Sequence, residues 1–179
     1  PKPADSLVTL AEQPSTLAEA YRLLRVNLDF TLAHKSKPSV LITSAEPGEG
    51  KTFTAANLAV SVAQAGKSVI LVDSDLRRPN VHRIFGLPND RGLSNFLVGA
   101  QADPEAFLHA TALDGLRIMV SGPVPPNAAE LLGSPRMESL VSRLGAMADL
   151  VLYDSPPLLV VADASLLASR IGQTIVVVK

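Results

Sequence analysis

The sequence predicts an α/β domain: a doubly wound, mainly parallel sheet flanked by helices, in three αβα layers. Three observations carry that expectation. Short, continuously apolar runs alternate with stretches of helical period, as strands covered on both faces and their crossover helices do. A glycine-rich loop joins the first such run to the helix after it, and two later runs each end in an aspartate, at Asp73 and Asp154.

Taken in order, residues 1–15 hold Pro1, Pro3 and Pro14 among polar residues and read as an arm or linker. A helix is expected from Thr16, because Leu17, Leu24, Leu28 and Leu32 recur near the helical period and Thr16 with Glu19 has capping-box spacing. Pro38 closes it. The strand candidates are Val40–Thr43, Val69–Val72, Leu116–Val120, Leu150–Tyr153 and Ile175–Val178. A helix from Thr52 to Ala65 stops at Gly66, a C-terminal cap signal. One helix between about Asn127 and Ala148 should precede the fourth strand, and one from Asp163 to Ser169 the fifth. Right-handed crossovers then place these helices on the two faces of the sheet. A start at Pro1 and an end just past an apolar run that reads as a core strand create the expectation of a piece cut after its fifth strand, with the main domain over 16–179.

Composition narrows the chemistry. Sixteen Lys and Arg against 17 Asp and Glu leave a formal charge of −1 over 179 residues, which argues against a general nucleic-acid surface. No apolar run approaches the ~18 to 20 residues of a membrane span, and no secretory leader opens the chain, so a soluble piece is expected. Without cysteine there are no disulfides, thiolate metal sites or cysteine nucleophiles. His34 and His109 are isolated and lack metal-site spacing. Tyrosine occurs twice, as Tyr21 and Tyr153.

After the first strand comes Thr43-Ser44-Ala45-Glu46-Pro47-Gly48-Glu49-Gly50-Lys51-Thr52, leading straight into a helix. Such a loop points several backbone N–H groups at one spot, where the helix dipole adds positive potential, and phosphate is the natural occupant. Lys51 supplies a point charge for the outer phosphates, and the Thr52 hydroxyl is placed to ligate Mg²⁺. The phosphate-loop pattern asks for glycine five positions before Gly50, where this chain has Ala45.

The second strand ends in Asp73-Ser74-Asp75-Leu76-Arg77-Arg78-Pro79 and the fourth in Asp154-Ser155-Pro156-Pro157. In a parallel sheet these carboxyl ends share one edge with the loop, so Asp73, Asp75 and Asp154 should converge on bound phosphates. Carboxylates beside a triphosphate imply a bridging cation, and oxygen ligands suit Mg²⁺. Of Asp73 and Asp75, one can hold metal-bound water and the other accept a proton from the nucleophile; spacing leaves the choice open.

From Glu19 to Lys179 the chain resembles the bacterial tyrosine kinases of capsular and exopolysaccharide synthesis, which are built on the P-loop NTPase fold. The resemblance rests on Ile70-Leu71-Val72-Asp73-Ser74-Asp75-Leu76-Arg77-Arg78-Pro79, Phe85-Gly86-Leu87, Gly92-Leu93-Ser94, Gly122 through Pro125-Pro126-Asn127 to Glu130-Leu131-Leu132, and Asp154-Ser155-Pro156-Pro157. It implies transfer of the γ-phosphate of ATP to a tyrosine, with Mg²⁺ as cofactor, in the regulation of polysaccharide polymerisation and export. It also implies that Glu46, Pro47, Gly48, Glu49, Gly50, Lys51, Thr52 and Phe53 bind the nucleotide. Lys51 would meet the phosphates, Thr52 would hold Mg²⁺ directly, Asp75 and Asp154 would hold Mg²⁺ or its waters, and Asp73 would activate the acceptor tyrosine. Chromosome-partitioning and septum-positioning ATPases share the fold class but carry a signature lysine where this chain has Glu46. A P-loop ATPase scaffold, whose nucleotide state controls assembly without tyrosine transfer, is the alternative from another class.

Glu19, Arg22 and Arg25 form E-x-x-R-x-x-R, read as lying on one helix face. By spacing alone they are a capping glutamate with two solvated arginines; the resemblance implies that they join neighbouring subunits in a ring. Further partners implied are a tyrosine-rich tail, absent from this sequence, and a membrane-anchored chain-length regulator, fused or separate, which places the domain in the cytoplasm at the inner face of the plasma membrane. Arg77, Arg78, His82 and Arg83 form a basic cluster with three readings: a solvated face, a phosphate sensor, or a dock for an acidic or phosphorylated tail.

Overall fold

A computed structural model describes residue 7 and residues 15–36, 38–99 and 103–179. The six strands are β1 (Ser39–Ser44), β2 (Val69–Asp73), β3 (His109–Ala110), β4 (Leu116–Met119), β5 (Leu150–Asp154) and β6 (Thr174–Val177). They form one sheet in the order β3-β4-β2-β5-β1-β6, parallel throughout except where the short β3 pairs antiparallel with β4. The helices are α1 (Thr16–Leu32), α2 (Lys51–Gln64), α3 (Val81–Phe85), α4 (Leu93–Val98), α5 (Ala128–Leu132), α6 (Pro135–Gly145) and α7 (Asp163–Ile171), with a 3₁₀ turn at Pro104–Phe107.

Strand alternation divides the core in two. Val40, Ile42, Val69, Leu71, Leu150 and Leu152 face a cluster completed by α2 and by Leu28 and Leu32 of α1. Leu41, Ile70, Val72, Val151 and Tyr153 face the opposite cluster, completed by residues of α4, α5, α6 and α7. The three-layer αβα expectation is met, with the strands of the middle four positions closed on both sides.

Several local expectations change. The α1 cap is Ser15, whose hydroxyl accepts the Ala18 N–H at 3.0 Å, so Thr16 is the first helical residue and Glu19 lies outside the capping-box position. Glu19 instead pairs with Arg22. Arg25 departs from that face: it pairs with Asp29 at 3.5 Å, and Lys67 holds the other Asp29 oxygen at 2.7 Å, which ties α1 to the turn before β2. Steps of three residues rotate about 60° each, so the three-residue motif spans about 120° of helix surface. The single helix expected over Asn127–Ala148 is two, α5 and α6. Ser134 precedes Pro135 and is extended (φ −78°, ψ 156°), as a residue before proline prefers, and its side chain caps α6. β6 is an edge strand among the described residues, with Val176 48% exposed, rather than a strand covered on both faces. The arm at 1–15 lies outside the described residues apart from Leu7 and Ser15; Leu7 is buried in the α2-side cluster.

Close approach explains one glycine pair. A Cβ on Gly92 would lie 2.1 Å from the Val120 carbonyl oxygen, and the neighbouring Gly122 has φ 77°. Gly92→Ala therefore forces α4 off the end of β4, and we expect a loss of about 1–3 kcal/mol in the urea unfolding free energy; an unchanged midpoint and slope would contradict this packing.

Candidate active site

The site grows from the carboxyl ends of β1, β2 and β5. Parallel register sets Asp73 of β2 directly beside Asp154 of β5, and Asp154 beside Ile42 of β1. Polar bonds lock the strand ends together: the Ser74 N–H and hydroxyl both donate to the Asp154 carbonyl (2.8 and 2.6 Å), and the Thr43 hydroxyl donates to the Pro156 carbonyl at 2.9 Å.

The loop from β1 to α2 follows from its glycines. Gly48 and Gly50 have φ of 85° and 92°, a region closed to most side-chain-bearing residues, and Gly50 is the cap from which α2 starts. The Glu49 carboxylate accepts the Glu46 N–H at 2.8 Å, and the Ser44 hydroxyl donates to the Glu46 carbonyl at 2.8 Å, so the loop is braced by its own side chains. Pro47, Gly48, Gly50, Lys51, Thr52 and Phe53 line a cleft of about 1160 Å³ that continues past Asp75 to Arg83, Asn89 and Val124. Glu46 and Glu49 do not line it; their part is to brace the turn.

Lys51 is the hub. Its Nζ lies 3.2 Å from the Thr52 hydroxyl, 3.2 Å from Asp75 Oδ2 and 3.8 Å from Asp154 Oδ1. Asp75 Oδ1 accepts the N–H groups of Arg78 (2.9 Å) and Arg77 (3.3 Å). Asp73 Oδ2 accepts those of Asn80 (3.1 Å) and Val81 (3.0 Å) at the start of α3, while its Oδ1 has no hydrogen-bond partner. Asp73 and Asp154 are fully buried beneath the cleft rather than on its wall. Burial, with the Asp154 charge second, raises the Asp73 carboxyl to about 8. Burial also raises Asp154, to about 6, against the Lys51 ammonium and the Thr52 hydroxyl, which favour its ionised form.

These groups fit a magnesium nucleotide. Neither oxygen of Asp154 accepts a well-formed hydrogen bond, and buried carboxylates without partners are costly unless a cation or proton completes them. Asp75, Asp154 and the Thr52 hydroxyl, gathered around Lys51, suit Mg²⁺, an ion that keeps waters and takes phosphate oxygens beside one or two carboxylates.

Two features escaped the sequence. Arg77 forks onto Asp163 at the start of α7 (Nε to Oδ2 2.8 Å, a terminal nitrogen to Oδ1 3.1 Å), with Asp163 fully buried. A sequence separation of 86 hides that pair; the only signal was a carboxylate opening a helix. The second is the apolar rim at Val124 and Val160, 60% and 58% exposed beside Pro156 and Pro157. Tyr153 is buried within β5 and Tyr21 under α1, where its ring centroid lies 6.2 Å from that of Phe53.

Raised carboxyl pKa values make the fold bind protons that the unfolded chain releases, so this stabilising contribution is full below about pH 4 and is lost as pH rises through about 6 and about 8. Asp73→Asn keeps an oxygen for the two N–H donors and removes the buried charge. Without nucleotide and Mg²⁺, it should be more stable than the wild type at pH 8 by about 1–3 kcal/mol, with the gain shrinking toward pH 4. Thermal melts across that range that run parallel for the two proteins would refute the buried-charge account.

Residues 40–175 match the CobQ/CobB/MinD/ParA nucleotide binding domain. The chain is 43% identical over 173 residues to the tyrosine-protein kinase YwqD of Bacillus subtilis (strain 168), covering 97% of this chain and 73% of that one. It is 36% identical to the tyrosine-protein kinase etk of Escherichia coli (strain K12), covering 99% of this chain but 23% of that longer protein. The solved kinase domain of Escherichia coli ETK superposes with a TM-score of 0.90 at 33% identity, over 96% of this chain and 67% of that one. With its P-loop fold and its nucleotide cleft, the chain belongs to the family of bacterial tyrosine-protein kinases.

Proposed function

We propose that the domain transfers the γ-phosphate of ATP to a tyrosine hydroxyl, in control of capsule or exopolysaccharide assembly. The observation that carries this reading is the buried Asp73–Asp154 pair beneath a lysine at the mouth of a phosphate loop. Lys51 is stored against Asp75 and Asp154 and can turn to the β- and γ-phosphates, leaving those carboxylates and the Thr52 hydroxyl for Mg²⁺ or its waters. When bound, that ion neutralises charge developing on the phosphate oxygens. Asp73, held at one oxygen by two N–H groups, accepts the tyrosine proton at the other. The phenolic oxygen bonds to the γ-phosphorus, the bond to the bridging oxygen breaks, and ADP leaves. A carboxyl group raised to about 8 is a stronger base than an ordinary aspartate once the charge of a bound metal nucleotide has left it ionised.

Both tyrosines of the sequence are buried, so the acceptor comes from outside these 179 residues: a tail on its own or a neighbouring subunit, or another protein. The length of the etk relative outside the matched region leaves room for a further domain, and the partner proposed is a membrane-anchored regulator, fused or separate, with work at the cytoplasmic face of the membrane. Among the described residues no helix is long and apolar enough to cross a membrane. Assembly into a ring through Glu19, Arg22 and Arg25 divides by role here. Glu19 and Arg22 are presented outward, whereas Arg25 anchors α1 through Asp29.

Incubation with labelled ATP, Mg²⁺ and a tyrosine-rich peptide tests the transfer. The wild type should label tyrosine, and Lys51→Met and Asp73→Asn should lower the rate about a hundredfold or more. Hydrolysis without label on tyrosine would favour the scaffold reading instead. For assembly, Arg22→Glu should reduce the mass measured by light scattering at matched concentration while the thermal melt stays cooperative; an unchanged mass removes Arg22 from the interface.

A further inference from the structure

The cleft extends well beyond the phosphate loop. Outside the loop it is lined by Arg78, Arg83, Asn89, Val124 and Val160 among others. Here the arginines differ in kind. Arg77 is neutralised by the Asp163 fork, but Arg78 and Arg83 are exposed and form no ion pair among the described residues.

Connectivity ties this wall to the reacting groups. The Arg78 N–H rests on Asp75, and α3, which carries Arg83, begins where Asp73 accepts the Asn80 and Val81 N–H groups. A peptide whose hydroxyl reaches Asp73 therefore runs beside α3, against two uncompensated guanidinium groups. The exposed Val124 and Val160 side chains, with Pro156 and Pro157, offer apolar surface to a tyrosine ring.

We propose that this outer part of the cleft is the acceptor site, selecting tyrosines flanked by Asp or Glu through Arg78 and Arg83. The proposal rests on the kinase reading above and names its substrate class. Guanidinium forks favour carboxylates by geometry as well as charge, and they repel lysine-flanked acceptors.

Two fluorescent peptides test it, one with glutamates and one with lysines on either side of a single tyrosine. Their binding is measured by anisotropy to the protein loaded with Mg²⁺ and a non-hydrolysable ATP analogue. The acidic peptide should bind about tenfold tighter, the sum of a few partly exposed charge pairs. Arg78→Glu/Arg83→Glu should reverse the order, so that the lysine peptide binds better; simple loss of fold would weaken both. Equal binding of the two peptides to the wild type, no binding of either, or an unchanged preference in the double variant overturns the proposal. Label transfer from ATP is scored separately on the same peptides. Acidic preference without transfer to either would defeat the kinase reading, and with it the acceptor role, while leaving a site for acidic peptides at Arg78 and Arg83.

Discussion

Two carboxylates set side by side in the dry end of a parallel sheet are the constraint around which the molecule is arranged. The register of β2 on β5 puts Asp73 beside Asp154 with no solvent to separate them. Like charges at such a place cannot both persist without compensation. Part of it is built in: Lys51 from α2, the Thr52 hydroxyl, and the N–H groups that open α3. The rest is supplied by protons in the empty site and, in the function proposed above, by a metal nucleotide in the filled one. The same repulsion that burdens the fold thus makes the site receptive to magnesium and phosphate, a common relation between stability and function.

From that pair outward, the secondary structure serves to fix short distances. α2 must begin at Gly50 for Lys51 to reach both carboxylates, which needs the positive φ there and the Glu49 brace on the turn. α3 must begin at Val81 so that its free N–H groups meet Asp73. Because the segment between β2 and α3 is only seven residues, 74–80, Arg77 and Arg78 are carried to the cleft with it. Arg77 then reaches across to Asp163, joining the β2 end to the first turn of α7 on the other core. Coupling of α1 to this region runs through contact as well: Tyr21 packs on Phe53, the residue after Thr52, while Arg25, Asp29 and Lys67 fasten the far part of the helix.

Much of the site was legible because it is written in short segments at strand ends. Asp73, Asp75 and Asp154 follow apolar runs, and once those runs are parallel neighbours their ends must converge. The loop was legible for the same reason, since its glycines, lysine and threonine are contiguous. What could not be read depends on rotation, on long-range pairing or on edges. The arginine motif of α1 seemed to share a face until the helix was given its true phase, which turns Arg25 toward Asp29. The break between α5 and α6 was present as Gly133-Ser134-Pro135 and was overridden by the apolar pattern around it. β6 shows the limit of composition: Ile175–Val178 is uniformly apolar, yet one side of the strand is half open. The burial of both tyrosines, too, depends on the packed fold and not on their number.

The depth of those tyrosines also says why an acceptor must be brought to the site rather than held there. Tyr153 is central to β5, and its hydroxyl is driven above the usual phenol range by burial. It is one residue from Asp154, but strand alternation sends its ring into the α4–α7 core, away from the cleft. Extracting it would cost the packing of a fully buried aromatic, about 3–5 kcal/mol, with the strand pairing to β1 and β2 lost besides. Tyr21 is fixed between α1 and α2 in the same way. With the tyrosines of these 179 residues locked in the core, the cleft stays open to an acceptor from elsewhere, and the choice among acceptors then falls to the exposed charges at the cleft's rim.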